Sequence, residues 1–262
     1  MTSILLTLLI SYILLFLYSL KIKDNSIVDV FWGVGFMMIA LISYFQSDMY
    51  IVQTVMTGLI CLWGIRIVSH IGSRKLKEKK EDPRYAKWRE EWGSGWYFLV
   101  RSFLQVYILQ MILMLVVALP ILVVNIGLGF SGNGLLRTSQ WLGQIFLIIG
   151  TILALAWLIF ETISDIQLWA FIQTKKPGQI FTSGLYRYSR HPNYFWESVF
   201  WLGISLIALP FSYLWLIGWI VITILLLFVS GVPLQEARYA GRPEWEAYTS
   251  RTSVFVPWSP KK

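Results

Sequence analysis

Long apolar runs separated by short polar stretches dominate the 262-residue chain. Seven of these runs are candidates for membrane helices, because most hold the roughly 18 mainly apolar residues that a crossing of about 30 Å requires. They cover residues 3–20, 27–45, 51–70, 100–125, 140–163, 195–209 and 212–230. The pattern predicts an all-α integral membrane protein, a single domain over residues 1–262 folded as a bundle of seven transmembrane helices.

The sixth run, 195–209, is short, and Pro210 separates it from the seventh run. Proline has no backbone N–H and breaks or kinks a helix. One kinked helix over 195–230 is the alternative, but that stretch would be about 54 Å long at a rise of about 1.5 Å per residue. Since this length exceeds a single crossing, two spans are expected here.

Lys and Arg residues test this topology, because cytosolic loops carry an excess of both. Nineteen of the 22 lie in the stretches 21–26, 71–98, 170–194 and 231–262. The alternate loops contain one, Arg137, and the remaining two lie at the edges of spans. This asymmetry predicts seven crossings with the N-terminus outside, and it places segment 71–98 and tail 231–262 in the cytosol.

Composition agrees with a membrane protein and narrows its partners. Charged residues make up 14% of the chain, against about 25% in soluble domains, and mean hydropathy is +0.63. The net charge of +8 is explained by orientation, so no nucleic-acid partner is expected. The single cysteine excludes an internal disulfide and a cysteine-based metal site, and no metal site is predicted. We expect a monomer in a bacterial plasma membrane, with its first helix retained rather than cleaved as a signal peptide.

Ionisable side chains inside spans are costly and mark functional sites by default. Here they are Asp29, the pair Arg66 and His70, the pair Glu161 and Asp165, and Glu197. The members of each pair lie four residues apart and therefore share one helix face. All fall at the predicted cytosolic ends of their spans, which favours a polar cavity open to the cytosol. Snorkelling of charged groups at helix ends is the alternative.

The polar segment 71–98 carries Trp88, Trp92 and Trp96 at a spacing of four residues, which predicts that they line one helical face. Such a segment either lies on anionic lipid or covers the cavity as a lid. The two interpretations are compatible.

The stretch "SRHPNYFWE" (189–197) combines polar groups with the start of an apolar run. Pro192 suits the first position of a helix, whose free N–H groups then form an anion site together with Arg187 and Arg190. A phosphate is the expected anion, and His191 is expected to cap the helix or to contact that phosphate. The candidate nucleotide-binding residues in and around this motif are Lys175, Arg187, Arg190, His191, Asn193, Tyr194 and Glu197.

Several stretches together resemble one family. They are "KDNSIVDVFWG" (23–33), "LWGIRIVSHIGSR" (62–74), "EDPRYAKWREEWG" (81–93), "GLYRYSRHPNYFWESVFWLGISLIAL" (184–209) and "RTSVFVPW" (251–258). Over nearly the whole chain the sequence resembles the steroid 5-alpha-reductase family, and within it the bacterial steroid-reductase-like membrane proteins. The resemblance implies a seven-helix bundle that holds NADPH. It also implies hydride transfer to the β-carbon of a C=C bond conjugated to a carbonyl, in a lipophilic, steroid-like substrate from the bilayer.

The resemblance assigns cofactor contacts to Asp165, Asn193, Glu197 and Tyr239. The turn "TKKPG" (174–178) matches the basic-Pro-Gly turn that follows the family's acid in helix five. Two positions depart from the steroid enzymes, because Glu161 stands in place of an Asn and Gln235 in place of a His.

The acid that polarises the substrate carbonyl is a further departure. The steroid enzymes hold the ketone with a Glu of helix two and a Tyr of helix three, but span two of this chain has no Glu. Asp29 and His70 are the nearest chemical replacements and are the candidate catalytic residues.

Two other classes of function stay open. The "RHPNY" element also occurs in isoprenylcysteine carboxyl methyltransferases, which use S-adenosylmethionine, so a membrane methyltransferase is one alternative. A non-enzymatic transport or lipid-binding protein is the other. Transporters place polar groups near the middle of the membrane, whereas the polar residues here are predicted at one end of the bundle.

Overall fold

The chain is helical in the computed structural model, which describes residues 1–78, 80–127, 140–176, 178–212 and 214–261. No β-strand occurs among these residues. The α-helices in chain order are α1 (Thr2–Ile22), α2 (Ile27–Tyr44), α3 (Ile51–Glu78), α4 (Pro83–Trp92), α5 (Trp96–Arg101), α6 (Leu109–Val117), α7 (Leu119–Ile126), α8 (Gln140–Thr174), α9 (Pro192–Ala208), α10 (Trp215–Ile224), α11 (Val232–Glu236) and α12 (Pro243–Arg251). π-helical stretches, Ser102–Ile108 and Leu225–Val229, extend α5 into α6 and lengthen α10.

Six helical segments of the described chain are long and apolar enough to cross a membrane. They are Thr2–Ile22, Ile27–Tyr44, Ile51–Lys77, Trp96–Val117, Trp141–Thr174 and Trp215–Glu236. The prediction of a membrane protein is therefore supported. The remaining predicted span, 195–209, is α9, whose 17 residues measure about 26 Å at about 1.5 Å per residue. Length and composition thus identify six candidate crossings among the described residues, and they do not confirm α9 as a seventh.

The outer surface of α8 is mostly apolar. Trp141, Ile152, Ile159 and Trp169 are all about 60% exposed, as expected for side chains that face lipid. Trp141 and Trp169 are separated along the helix by about 42 Å, which matches a bilayer of about 40–45 Å including its headgroups. Tryptophans concentrate at these two interfaces, so α8 has the dimensions of a full crossing.

Helix α9 lies in the interior of the bundle, packed against α7, α8 and α10. Phe200, Trp201 and Ile204 are fully or almost fully buried. At the crossing of α8 and α9, a Cβ atom added to either Gly150 or Gly203 would lie 2.5 Å from the backbone oxygen of the other glycine. Small residues permit such close backbone contact between membrane helices.

The predicted span 100–125 is wrong as a single helix. The helical run Trp96–Val117 stops before Ala118, and the separate helix α7 begins at Leu119. Pro120 lies in the first turn of α7, where its missing N–H costs nothing, whereas it would have interrupted a continuous helix. Residues 120–125 are buried, and Asn125 Nδ2 donates to Ser43 Oγ at 2.9 Å. Helix α7 is therefore part of the core and is not a continuation of the span.

Two other spans extend beyond the predicted ends. The prediction 51–70 corresponds to α3, which continues to Glu78, and 140–163 corresponds to α8, which continues to Thr174. Apolar runs stop where polar residues begin, but the backbone stays helical until a stop signal. The first part of segment 71–98 therefore belongs to α3.

The tryptophans of segment 71–98 do not share one helix. Trp88 and Trp92 lie on α4 and their rings stack with centroids 5.5 Å apart. Gly93 and Gly95 then adopt positive φ angles of 65° and 81°, a conformation that glycine adopts readily. Trp96 begins α5 after this turn, so the predicted three-residue face is limited to two residues.

Candidate functional site

An ion cluster connects α3 and α8 inside the bundle. Arg66 of α3 binds Glu161 Oε1 at 2.7 Å and also binds Asp165 Oδ2. His70, one turn further along α3, places Nδ1 3.4 Å from the same Asp165 oxygen. The spacing of four residues on each helix brings both pairs to the facing surfaces, as the sequence indicates. Arg66 also lies over the ring of Trp157 at 5.1 Å.

Glu197 of α9 lies beside this cluster and is held by indole groups. Trp63 Nε1 donates to both carboxylate oxygens, at 2.9 and 3.0 Å, and Trp201 Nε1 donates to Oε1 at 2.9 Å. Both oxygens of Glu197 therefore act as acceptors, which is the pattern of an ionised carboxylate.

Two buried polar atoms in this region have no partner among the described residues. They are Glu161 Oε2 and Trp157 Nε1. The two residues lie four apart on α8 and so share a face. A buried polar atom without a partner costs about 1–3 kcal/mol, and each such atom in a native protein calls for an explanation.

Asp29 belongs to a second cluster, where α4 docks on α2. Arg84 donates to Asp29 Oδ2 and Tyr85 donates to Oδ1, both at 2.7 Å. Burial would lower the pKa of the Arg84 guanidinium, but the Asp29 and Asp82 carboxylates outweigh burial and raise it. A cavity of about 20 Å³ adjoins this cluster, enough for about one water molecule. Asp29 and His70 share no hydrogen-bond partner among the described residues, so the two predicted catalytic residues lie in different clusters.

Tyr85 extends this second cluster into the bundle. Its hydroxyl accepts from Gln110 Nε2 at 3.1 Å, and Gln110 Oε1 in turn accepts from Trp32 Nε1 at 2.7 Å. Burial, first of all, raises the pKa of Tyr85, and the neighbouring Asp29 carboxylate adds to the effect. Tyr85 is therefore a neutral donor to Asp29 at physiological pH.

The start of α9 is joined to the C-terminal tail. Pro192 occupies the first turn, as predicted, and His191 is the N-cap residue but makes no capping hydrogen bond with its side chain. Arg190 Nε binds Glu236 at 2.8 Å, and Arg190 NH1 donates to the carbonyls of Thr249 and Thr252. The Arg190 side chain thus clamps the tail, and a bound phosphate would compete with these contacts.

His191 contributes to the same clamp. Its Nε2 lies 3.1 Å from Glu236 Oε1. Burial lowers the pKa of His191, and the Glu236 carboxylate offsets only part of that effect. Further along the clamp, the Tyr248 hydroxyl donates to the Tyr186 carbonyl, and burial raises the pKa of Tyr186 to about 12.

The other predicted cofactor residues divide into two groups. Tyr194 stacks on the His191 ring at 5.5 Å and lies in a basic environment to which Arg74, Arg84 and Arg238 contribute positive potential. Asn193 is half-buried, and its side-chain amide has no hydrogen-bond partner among the described residues. Lys175 and Arg187 are exposed at the surface. Tyr239 stacks on Trp245 at 4.9 Å within the tail. The structure therefore does not bring all of these residues into contact.

A family model described as a protein of unknown function (DUF1295) matches residues 15–252. The chain belongs to the DUF1295 family. The match includes both polar clusters, the start of α9 and the clamp with the tail. No curated protein and no solved structure matches the sequence.

Several residues at the centre of the candidate site are missing from the sequence-based prediction. Arg84 and Tyr85 hold Asp29, Trp63 holds Glu197, and Glu236 holds both Arg190 and His191. The run "EDPRY" (81–85) is a signal for the first two, because it combines a proline helix start with an Arg-Tyr pair. Trp63 carries no such signal, since a tryptophan in an apolar span is normally a lipid or core contact.

Proposed function

We propose that this DUF1295 protein is a membrane-embedded, NADPH-dependent reductase of C=C bonds conjugated to a carbonyl, acting on a lipophilic, steroid-like substrate. The proposal rests on one observation. Tyr186 lies within electrostatic range of both Tyr194, around which Arg74, Arg84 and Arg238 contribute positive potential, and the Glu161–Asp165 pair that binds Arg66. The resemblance of the motifs to the steroid 5-alpha-reductase family supports the same proposal.

The donor set fits a dinucleotide. Guanidinium groups bind phosphates well, and Arg74, Arg84 and Arg238 supply positive charge near Tyr194 at the start of α9. The Asn193 amide and the Trp157 indole N–H are polar groups suited to a carboxamide. When bound, NADPH supplies the hydride. The chain's own residues orient the ligand, exclude water and stabilise the negative charge that develops on the carbonyl oxygen.

The proposal also includes the topology of seven crossings, with the N-terminus outside and the site open to the cytosol. Contacts of the tail support an even number of crossings after α8. Arg190 N donates to Ser253 O at 2.8 Å, and Trp258 N donates to Tyr188 O at 2.9 Å. These contacts support the proposal that the segment after α8 and the tail lie on one side, with α9 and α10 together leaving that side and returning. Nineteen Lys and Arg residues in the stretches on this side support a cytosolic location.

A thermal-shift titration of the purified protein in lipid nanodiscs tests the cofactor. We expect NADPH to raise the melting temperature in a saturable manner, since a ligand that binds only the folded state stabilises it. NADH and S-adenosylmethionine serve as matched comparisons. A shift with S-adenosylmethionine alone would support the methyltransferase alternative, and no shift with any of the three would support a non-enzymatic protein; either result would contradict the proposal.

A further inference from the structure

The ion cluster of α3, α8 and α9 contains more acids than bases. Three carboxyl groups, Glu161, Asp165 and Glu197, lie around one buried guanidinium, that of Arg66. His70 is the nearest further base, at 3.4 Å from Asp165, and its side chain is 49% exposed. Within a membrane helix bundle, an uncompensated negative charge is costly. One of the three carboxyl groups therefore has to be compensated by something other than Arg66 and His70.

Hydrogen bonding distinguishes the three carboxyl groups. Both oxygens of Glu197 accept from indole N–H groups. Asp165 Oδ2 accepts from Arg66, and the Asp165 side chain is 22% exposed, so water can solvate the rest of it. Glu161 differs, because only its Oε1 has a donor. Its Oε2 is buried without any partner in the described chain.

The residue itself is 7% exposed, and its Oε2 atom is shielded from bulk solvent. A charged oxygen in this position would pay the full cost of desolvation. A proton on Oε2 removes that charge and leaves two carboxylates, Asp165 and Glu197, beside Arg66. The remaining titratable group that acts on this site is Tyr186, whose hydroxyl contacts Ser164 at 3.2 Å.

We infer that Glu161 is a neutral carboxylic acid whose Oε2–H group donates a hydrogen bond to the carbonyl oxygen of a lipophilic ligand. This inference rests on the proposed function and deepens it, because it names the group that polarises the substrate carbonyl. Asp29 is less suited to this role, since Arg84 and Tyr85 already donate to both of its oxygens. Glu161 is suited to it, because a buried donor without an acceptor is satisfied by a ligand oxygen.

The inference involves hydrogen bonding and no covalent change at Glu161. Negative charge that develops on the ligand oxygen during reduction is stabilised by the Oε2–H group, in the manner of an oxyanion hole. Arg66 holds Oε1 and so fixes the direction of the acid group.

Infrared difference spectroscopy of the ligand-free protein in lipid vesicles at pH 7 tests whether the Glu161 carboxyl group is protonated. We expect a carbonyl band of a protonated carboxyl group in the wild-type protein and in Asp165→Asn and Glu197→Gln, and its loss in Glu161→Gln. Glu91→Gln is the matched control, because the Glu91 side chain is 51% exposed, and it should leave the band unchanged. A band that persists in Glu161→Gln overturns the inference. A wild-type spectrum without the band also overturns the inference.

The ligand role is tested separately with a long-chain 2-cyclohexenone. We expect this enone to raise the melting temperature of the wild-type protein, and Glu161→Met to abolish the shift, whereas Glu161→Gln, which keeps an N–H donor, retains part of it. NADPH oxidation with the same enone should fall about 10²–10³-fold in Glu161→Met, the usual cost of one such donor. An unchanged shift and unchanged turnover in Glu161→Met would contradict the inference. Wild-type protein that does not oxidise NADPH with the enone contradicts the proposed function, while the infrared result still decides the protonation.

Discussion

Arg66 is the residue on which the interior polar cluster depends. Its guanidinium is 15% exposed and binds carboxyl groups one turn apart on α8. Removing one partner of a buried ion pair leaves a charge without compensation, and this is costlier than the net contribution of the intact pair.

Arg66→Met should therefore destabilise the folded protein by about 3–5 kcal/mol, measured by denaturant unfolding in detergent micelles. The double variant Arg66→Met, Asp165→Asn should recover part of the loss, because the stranded charge is removed. Arg101→Met is the control, since Arg101 contacts only the exposed Tyr97 ring and hydroxyl among the described residues, and a surface change of this kind costs within about 0.5 kcal/mol. Equal stability of Arg66→Met and Arg101→Met would show that the ion pairs of Arg66 do not stabilise the folded protein.

The lowered pKa of His191 predicts that the stability of the folded protein depends on pH. Because its pKa is lowered in the folded protein, the unfolded chain binds a proton more readily, and stability rises with pH through this range. Above the pKa of about 6.5 that His191 has in the unfolded chain, the side chain is neutral in both states. Its titration then does not affect the free energy of unfolding. As the pH falls from about 6.5 towards the lower pKa of His191 in the folded protein, the unfolded chain binds the proton first. The free energy of unfolding therefore decreases over this range.

The melting temperature should decrease on acidification below about pH 6.5, and His191→Gln should reduce this decrease, because glutamine does not titrate. His70→Gln removes the only other histidine and should leave the decrease in place. The comparison uses the slope of melting temperature against pH, so a constant cost of either substitution does not affect it. Identical slopes for the wild type and His191→Gln would rule out His191 as the source.

At the residue scale, the sequence predicts which polar side chains of one helix act together but not their partners on other helices. Arg66 with His70, and Glu161 with Asp165, share a face because of their spacing. Pairing of Glu197 with Trp63 depends on how α3 and α9 are rotated about their axes, and the spacing within one helix does not contain that information.

At the scale of helices, the contact between α8 and α9 is set by glycines. Gly203→Ala would place a Cβ atom 2.5 Å from Gly150 O and 3.0 Å from Ala154 N. Both neighbours are backbone atoms, which cannot move aside as the end of a flexible side chain can. The two helices would have to separate, and the packing of the buried α9 would suffer.

We expect Gly203→Ala to cost about 1–3 kcal/mol, as overpacking of a core typically does, and to lower the melting temperature in detergent. Gly58→Ala on α3 is the matched control, because no atom lies within 4 Å of its added Cβ and alanine favours a helix over glycine. It should be neutral or slightly stabilising. A neutral result for Gly203→Ala would mean that the two helices are not in contact at this point.

Helix ends were the least predictable part of the fold. Hydrophobic runs identify stretches that are long and apolar enough to cross a membrane, and six helical segments of the described chain meet that criterion. They do not identify where α3 and α8 stop, since both continue into polar sequence. Pro120, in contrast, is a visible signal, and the rule that proline interrupts a helix accounts for the separation of α7.

At the scale of the whole molecule, contacts between distant segments join the connections between helices into groups. Lys75 of α3 pairs with Asp24, and Asn25 N donates to Glu81 at 2.7 Å, which joins the loop after α1 to segment 71–98. The clamp of Arg190 with the tail joins the segment after α8 to α12. If α9 failed to cross the membrane, the tail would lie on the opposite side from segment 71–98.

Cysteine labelling decides this topology, and the chain is suited to it because Cys61 is the only native cysteine. In a Cys61→Ala background, Asp48→Cys, Lys87→Cys and Glu244→Cys place single thiols at exposed positions in the loop before α3, in α4 and in α12. A membrane-impermeant maleimide applied to intact cells should label only the Asp48→Cys protein, because the excess of Lys and Arg places the other two sites in the cytosol. Permeabilised cells should allow all three to be labelled, which serves as the control for reactivity. Labelling of Glu244→Cys together with Asp48→Cys in intact cells would mean that α9 does not cross, and the proposed seven-helix topology would then be wrong.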